Sequence, residues 1–214
     1  AAYHQLGIIA QERGDFAAAE AHYNRSLEIH NALGDRGGVA SACHQLGIIA
    51  QARGQKVEAE ALYQKALEIR EALRERPGIA GTYYQLGRLA QERGDLATAG
   101  EWCRSALKIS ESLGNQPEMA MCYHQLGSVA LERGDLVAAE GWYRKALKIR
   151  EAMGNRPGIA KSYHELGRVA QNRGDLVAAE GCYLKALEIT ETSGDRPGSA
   201  MAYGQLGLLA WRHG

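Results

Sequence analysis

Much that marks specialised proteins is missing from this chain. Its 214 residues include four prolines and one phenylalanine, Phe16, and no apolar run approaches the roughly 18 residues of a membrane span. A membrane is therefore not an expected partner, and the opening AAYHQLG lacks the charged-then-apolar layout of a secretory signal. Excess charge is absent too. Twenty-five Lys and Arg oppose twenty-five Asp and Glu, so the chain has no electrostatic footprint for nucleic acid, which is excluded as an expected partner. The four cysteines, Cys43, Cys103, Cys122 and Cys182, form no CxxC pair and no zinc-finger spacing, which fits a reduced, cytoplasmic setting. HELGR at 164–168 has no second histidine four residues on, so a zinc-protease helix is excluded. No phosphate loop, nucleophile–base pair or isolated carboxylate pair occurs; the expectation is a non-enzymatic protein with no metal and no cofactor.

What the chain has in abundance is repetition. YHQLG stands at 3–7 and again at 123–127, with CHQLG at 43, YYQLG at 83, YHELG at 163 and YGQLG at 203. A shift of forty residues overlays the chain on itself without gaps. This predicts a single solenoid over 1–214: five full repeats, 1–40, 41–80, 81–120, 121–160 and 161–200, and a final first helix over 201–214.

Each repeat reads as two helices. In the fourth copy Met119, Ala120, Tyr123, Leu126, Gly127 and Ala130 recur every three or four residues as an inward stripe. Arg133-Gly134 ends that helix, with glycine free to turn left-handed and arginine set against the negative helix end. Asp135 is the N-cap of a second helix that buries Leu136, Ala139, Tyr143, Ala146, Leu147 and Ile149. Gly154-Asn155-Arg156-Pro157 stops it and starts the next copy. The second copy departs, with Gln55 in place of Asp and Arg74-Glu75 in place of Gly-Asp, so its helix ends are expected to be the loosest. The RGD triplets at 13, 93, 133 and 173 read as helix end, stop glycine and cap. Asn24-Arg25-Ser26 falls inside a helix, and Trp102, Trp142 and the tyrosines at 23, 63, 143 and 183 read as packing residues.

The order of a large residue at 3, Leu6-Gly7, a small residue at 10, Gly14, Ala19, Tyr23 and a small residue at 26 resembles the tetratricopeptide repeat (TPR) over essentially the whole chain. Two departures stand out: the period is forty rather than thirty-four, and the tenth position carries alanine (Ala10, Ala50, Ala90, Ala130, Ala170, Ala210). The longer period and the G-D/N-R-P-G connection look like the lengthened repeats of Pins-type adaptors and of the sensor regions of bacterial signal-transduction ATPases. The resemblance implies an all-α fold, an α-solenoid wound as a right-handed superhelix of antiparallel helix pairs, with a concave groove that takes a protein or peptide segment.

At 100° per residue, positions 1, 5, 8 and 12 lie opposite the buried stripe, with 4 and 11 flanking. By the resemblance, the candidate concave face is His4, Gln5, His44, Gln45, Ile48, Tyr84, Gln85, Arg88, Glu92, His124, Gln125, Ser128, Glu132, His164, Glu165 and Arg168. Amides and imidazoles supply donors and acceptors for an extended backbone. The change from isoleucine to arginine in column 8 suits an apolar ligand segment at the early copies and an acidic side chain near Arg88 or Arg168. Two further readings stay open: a sensor or autoinhibitory array of a larger signalling ATPase, and a structural scaffold using the convex helices and ends. The ends carry no polar caps, and Leu209 is expected to await a missing second helix. The chain is thus expected to be an excerpt of a longer array or to associate end to end.

Overall fold

The computed structural model describes the backbone of residues 2–213 and the side chains of residues 2–211; Ala1 and Gly214, the outermost residues of the expected array, lie outside the described residues. Regular structure among the described residues is entirely α-helical. The chain forms two compact units, Ala1–Leu113 and Gly114–Gly214. The first holds α1 (Ala2–Glu12), α2 (Phe16–Ala32), α3 (Arg36–Ala52), α4 (Lys56–Leu73), α5 (Arg76–Glu92) and α6 (Leu96–Leu113). The second holds α7 (Gln116–Glu132), α8 (Leu136–Ala152), α9 (Arg156–Arg173), α10 (Leu176–Ser193) and α11 (Arg196–His213). Within each unit, helices consecutive in the chain pack side by side, both inside a repeat and from one repeat to the next, which makes each unit an all-α solenoid segment.

Local chemistry accounts for the boundaries. Gly134 takes φ +79 after α7, a left-handed turn that costs glycine nothing. The Asp135 side chain then accepts a hydrogen bond from the Ala138 N–H at 2.9 Å, and the Asn155 side chain does the same for Gly158 at 3.0 Å. Prolines occupy the first turns of α5, α7 and α9. The second copy differs in its capping: neither Gln55 nor Glu75 makes a side-chain cap, and Arg74, at φ 56, is the described residue other than glycine with positive φ.

Packing inside a repeat is set by glycine under tyrosine. Tyr23, Tyr63, Tyr143 and Tyr183 are fully buried, each lying over the column-7 glycine of its own repeat. A Cβ on Gly47 would stand 2.6 Å from the Tyr63 ring, and one on Gly127 would stand 2.7 Å from Tyr143. In the third copy Cys103 takes the tyrosine's place, 2.6 Å from a Cβ on Gly87.

Packing between repeats uses columns that the inward stripe omits. Positions 2 and 9 face the preceding second helix: Ala42, Thr82, Ser162 and Ala202 are buried, as are Ile49, Leu89, Val169 and Leu209. Leu46 and Ile49 close on Ala19 and Tyr23, while Leu86 and Leu89 close on Ala59 and Tyr63. This corrects the reading of Leu209. It is 3% exposed and packs with Ala179 and Tyr183 of the preceding repeat, because column 9 looks backward along the array.

Arg93 and Arg173 of the RGD triplets, and Arg53 at the matching position of the second copy, also do more than end a helix. Arg93 Nη1 meets Glu60 at 2.6 Å and its Nη2 donates to the Lys56 carbonyl at 2.8 Å. Arg53 pairs likewise with Glu20, and Arg173 with Glu140 and the Leu136 carbonyl. Each clamps a first helix to the start of the preceding second helix. Such partly exposed pairs contribute about 0 to 1 kcal/mol each.

Candidate peptide-binding site

With two faces of α3, α5 and α9 committed to neighbouring second helices, a third face remains, and columns 1, 5, 8 and 12, flanked by column 4, occupy it. In the first unit it carries His4 and Gln5 on α1, His44, Gln45 and Ile48 on α3, and Tyr84, Gln85, Arg88 and Glu92 on α5. In the second it carries His124, Gln125, Ser128 and Glu132 on α7 and His164, Glu165 and Arg168 on α9. Gln5, Glu92, Glu132 and Arg168 are exposed and the others are half-buried.

The imidazoles do not project from this face. His4, His44, His124 and His164 each lean on the buried tyrosine of their own repeat, with ring centroids 5.4 to 5.6 Å apart. Burial drives the His44 pKa down to about 4 and that of His124 down to about 3, where the cations Lys161, Arg150 and Arg168 add to the effect. All four are lowered, so the imidazoles are neutral at pH 7. His124 Nδ1 is buried without a hydrogen-bond partner, an arrangement that costs about 1 to 3 kcal/mol.

The arginines are already engaged. Arg88 donates to Gln85 Oε1 at 3.3 Å and lies 3.8 Å from Glu92, whose carboxylate also accepts from Gln51 at 2.6 Å. Arg168 pairs with Glu165 at 2.8 Å, and the Tyr143 hydroxyl donates to the same carboxylate at 3.4 Å. An acidic ligand side chain at either arginine would exchange with these contacts. Ile48 packs on the cluster around Tyr63 and Leu86, so part of its surface belongs to the core. In the second unit a cleft of about 380 Å³ opens beside this face, and His164 and Glu165 line it.

One set of residues at this face escaped the sequence reading. Arg70 and Arg150 are each 7% exposed at the back of the face, where Arg70 donates to Thr82 Oγ1 at 2.7 Å and Arg150 to Ser162 Oγ at 2.7 Å. A signal was present: a hydroxyl stands twelve residues after an arginine in both places. Among the described residues no cluster of three or more His, Cys, Asp or Glu could hold a metal ion. Cys43, Cys103 and Cys122 are buried free thiols, and burial pushes the Cys103 pKa up to about 12, which keeps it unreactive. No helix is long and apolar enough to cross a membrane, among the described residues.

Stacked helix pairs with one uncommitted face per first helix define the class of α-helical repeat proteins. Within that class this chain belongs to the tetratricopeptide repeat family, whose sequence profile matches residues 1–72, 78–152 and 158–214. Repeats of this family commonly mediate protein–protein interactions and are generally non-catalytic. Solved structures with similar folds include BtubC (BKLC) from P. vanneervenii, which is 21% identical, aligns over 92% of each chain and gives a TM-score of 0.71. The Rap conjugation gene regulator of plasmid pLS20, solved with the Phr peptide, is 19% identical with a TM-score of 0.80; the alignment spans 95% of this chain and 56% of that one. A Rap protein complexed with Competence and Sporulation Factor is 16% identical, with a TM-score of 0.72 over 98% of this chain and 63% of that one. At these identities the likeness is one of fold. A search of curated proteins gives no match.

Proposed function

We propose that the chain is a non-enzymatic interaction module that binds an extended protein or peptide segment along the first-helix face of its units. The observation that carries this reading is the division of α3, α5 and α9 into two faces sealed by second helices and a third lined with half-exposed amides, acids and arginines. Packing uses up the apolar columns, yet it leaves Gln45, Gln85 and Gln125 on the uncommitted face, where they suit the alternating donors and acceptors of a peptide backbone. The Phr peptide complex of the Rap conjugation gene regulator, a protein of similar fold, supports the reading by analogy. Column 8 grades it: Ile48 meets apolar ligand atoms, and Arg88 and Arg168 take acidic side chains by exchanging their present partners.

Affinity capture from source cells with the wild-type chain and with Arg88→Ala/Arg168→Ala, and Gln45→Ala/Gln85→Ala, tests it. Loss of the same captured protein from both variants, with helicity intact, is the expected result. Undiminished capture would place the contact elsewhere. The scaffold reading has one observation of its own: a cleft of about 410 Å³ between α8 and α10, lined in part by Arg144, Tyr163, Cys182 and Lys185. Arg144→Ala/Lys185→Ala would then lose the captured protein while the first-helix variants keep it.

A further inference from the structure

Three junctions inside the units, α2 to α3, α4 to α5 and α8 to α9, contain a small polar site, filled from position 30 of the repeat. In the first unit His30 Nδ1 lies 2.8 Å from Asp35 Oδ2. At the next junction Arg70 Nη1 donates to Thr82 Oγ1 at 2.7 Å and to the Gly78 carbonyl at 3.0 Å. His44 Nδ1 stands 3.3 Å from that nitrogen, and Glu75 lies 3.6 Å from Arg70 Nε. In the second unit Arg150 repeats the arrangement on Ser162 at 2.7 Å and the Gly158 carbonyl at 3.2 Å. Glycine at position 38 makes the room: a Cβ would stand 2.1 Å from His30 at Gly38, 2.7 Å from Arg70 at Gly78 and 2.9 Å from Arg150 at Gly158.

Between α10 and α11 the site is open. Thr190 stands where Arg70 and Arg150 stand, and Ala202 where Thr82 and Ser162 stand, while Gly198 keeps the glycine. Thr190 Oγ1 donates to the Leu187 carbonyl at 2.9 Å and accepts from Ser199 Oγ at 3.1 Å, so the short side chains pair with each other and leave the guanidinium volume unfilled. What remains is the cleft of about 380 Å³, whose wall includes Ala160, His164, Ala186, Thr190, Asp195 and Gly198. Among them His164, Asp195 and Gly198 are the counterparts of His44, Glu75 and Gly78, which meet the Arg70 side chain.

We propose that this cleft binds the guanidinium of an arginine side chain carried by a partner peptide, in the place that Arg70 and Arg150 fill from within the chain. This rests on the reading of the first-helix face as a peptide-binding surface and names one residue of the ligand. Two of the acceptors at Arg70 recur: the Gly198 carbonyl matches those of Gly78 and Gly158, and Asp195 matches Glu75, while the hydroxyl of Thr82 and Ser162 is replaced by Ala202. Asp195 Oδ1 takes the Gly198 N–H at 3.0 Å and caps α11, and its second oxygen turns toward the open site. His164, its pKa lowered first by burial, is neutral and does not repel a cation. Lys161 on the cleft wall is exposed to solvent, and Glu165 beside it is also on the wall. A planar fork satisfies several divergent acceptors at once, which favours arginine over lysine. An apolar occupant would desolvate the Asp195 carboxylate with no partner.

The test is an amide NMR titration with a blocked pentapeptide carrying arginine between alanines, and with citrulline, lysine and leucine analogues. The arginine peptide is expected to shift Thr190, Gly198 and Ala202 and to bind about tenfold more tightly than citrulline, its neutral isostere. Thr190→Arg/Ala202→Ser, which transplants the Arg150/Ser162 pair, is expected to fold and to abolish those shifts. Asp195→Asn, which keeps a cap of the Asn155 kind, is expected to weaken binding severalfold. Equal binding of citrulline or leucine, or unchanged shifts in the transplanted variant, would overturn the proposal. The titration reads the cleft without any captured partner. Its failure therefore leaves the broader peptide-binding reading standing, and failure of the capture experiment leaves this result interpretable.

Discussion

At the scale of the residue, the histidines carry the most information, because their charge depends on where they lie. An imidazole whose folded pKa sits below its ordinary value of 6.5 binds fewer protons in the folded chain than in the unfolded one. The fold therefore has its full stability above pH 6.5 and loses it progressively as pH falls through 5 toward the folded values of about 4 for His44 and about 3 for His124. Asp35 and Glu140, whose carboxyl pKa values are lowered, lose their contribution as pH falls from the ordinary carboxylate range toward those lowered values, so the interval from pH 6.5 to 5 reports the imidazoles. The melting temperature is expected to fall steadily between pH 6.5 and 5, and His44→Gln/His124→Gln is expected to flatten that slope even if it lowers the plateau. A slope identical in the two proteins would mean that these imidazoles are not the titrating groups. The lean of each ring onto its tyrosine was not legible in YHQLG. Position 4 flanks both the buried and the open face of its helix, and the choice is made by a ring nineteen residues away on another helix.

At the scale of the element, the repeat pattern gave helix boundaries, stop glycines and caps directly, since each depends on residues within one turn. The second copy then offers a repair experiment. Arg74 holds a left-handed conformation at φ 56, which costs a residue with a Cβ roughly 1 kcal/mol. Arg74→Gly is expected to raise stability by that order, and Gln55→Asp to add about 0.5 to 1 kcal/mol through the missing cap. Urea unfolding of the single and double variants would check both, with a near-additive sum expected for ends at opposite termini of α4. Close approach gives the opposite sign. Gly127→Val drives a side chain into the Tyr143 ring, where even a Cβ lies at 2.7 Å, and is expected to cost about 1 to 3 kcal/mol. An unchanged midpoint would show that the ring can withdraw. Columns 2 and 9 were harder to see. Their residues change between copies, as in Ala42, Thr82, Ser162 and Ala202, and the reason appears only across the junction, where a hydroxyl accompanies an arginine at position 30 of the preceding repeat.

At the scale of the whole molecule, the solenoid class followed from self-similarity alone, because a helix pair of forty residues cannot bury its stripe without a neighbour. The candidate face followed only as a set of columns; which members are open, engaged or packed depends on contacts between helices that no single repeat encodes. The forty-residue period itself makes the last prediction. Removing residues 41–80 places Thr82 beside His30, Leu86 and Leu89 over Ala19 and Tyr23, and Arg93 within reach of Glu20, the same pairings that α3 makes in the intact chain. Removing thirty-four residues, 41–74, displaces every following column by six positions and brings Glu75, Arg76 and Pro77 into the interior of the helix that should pack. In a nearest-neighbour array the first deletion removes whole interfaces and leaves the rest in register, so per-residue helicity is expected to hold while the melting temperature falls. The second deletion is expected to lose cooperative unfolding of the N-terminal repeats. Circular dichroism melts of the two proteins decide it: equal behaviour would mean that the junction contacts, from the column-9 leucines to the arginine clamps, do not set the register of this array.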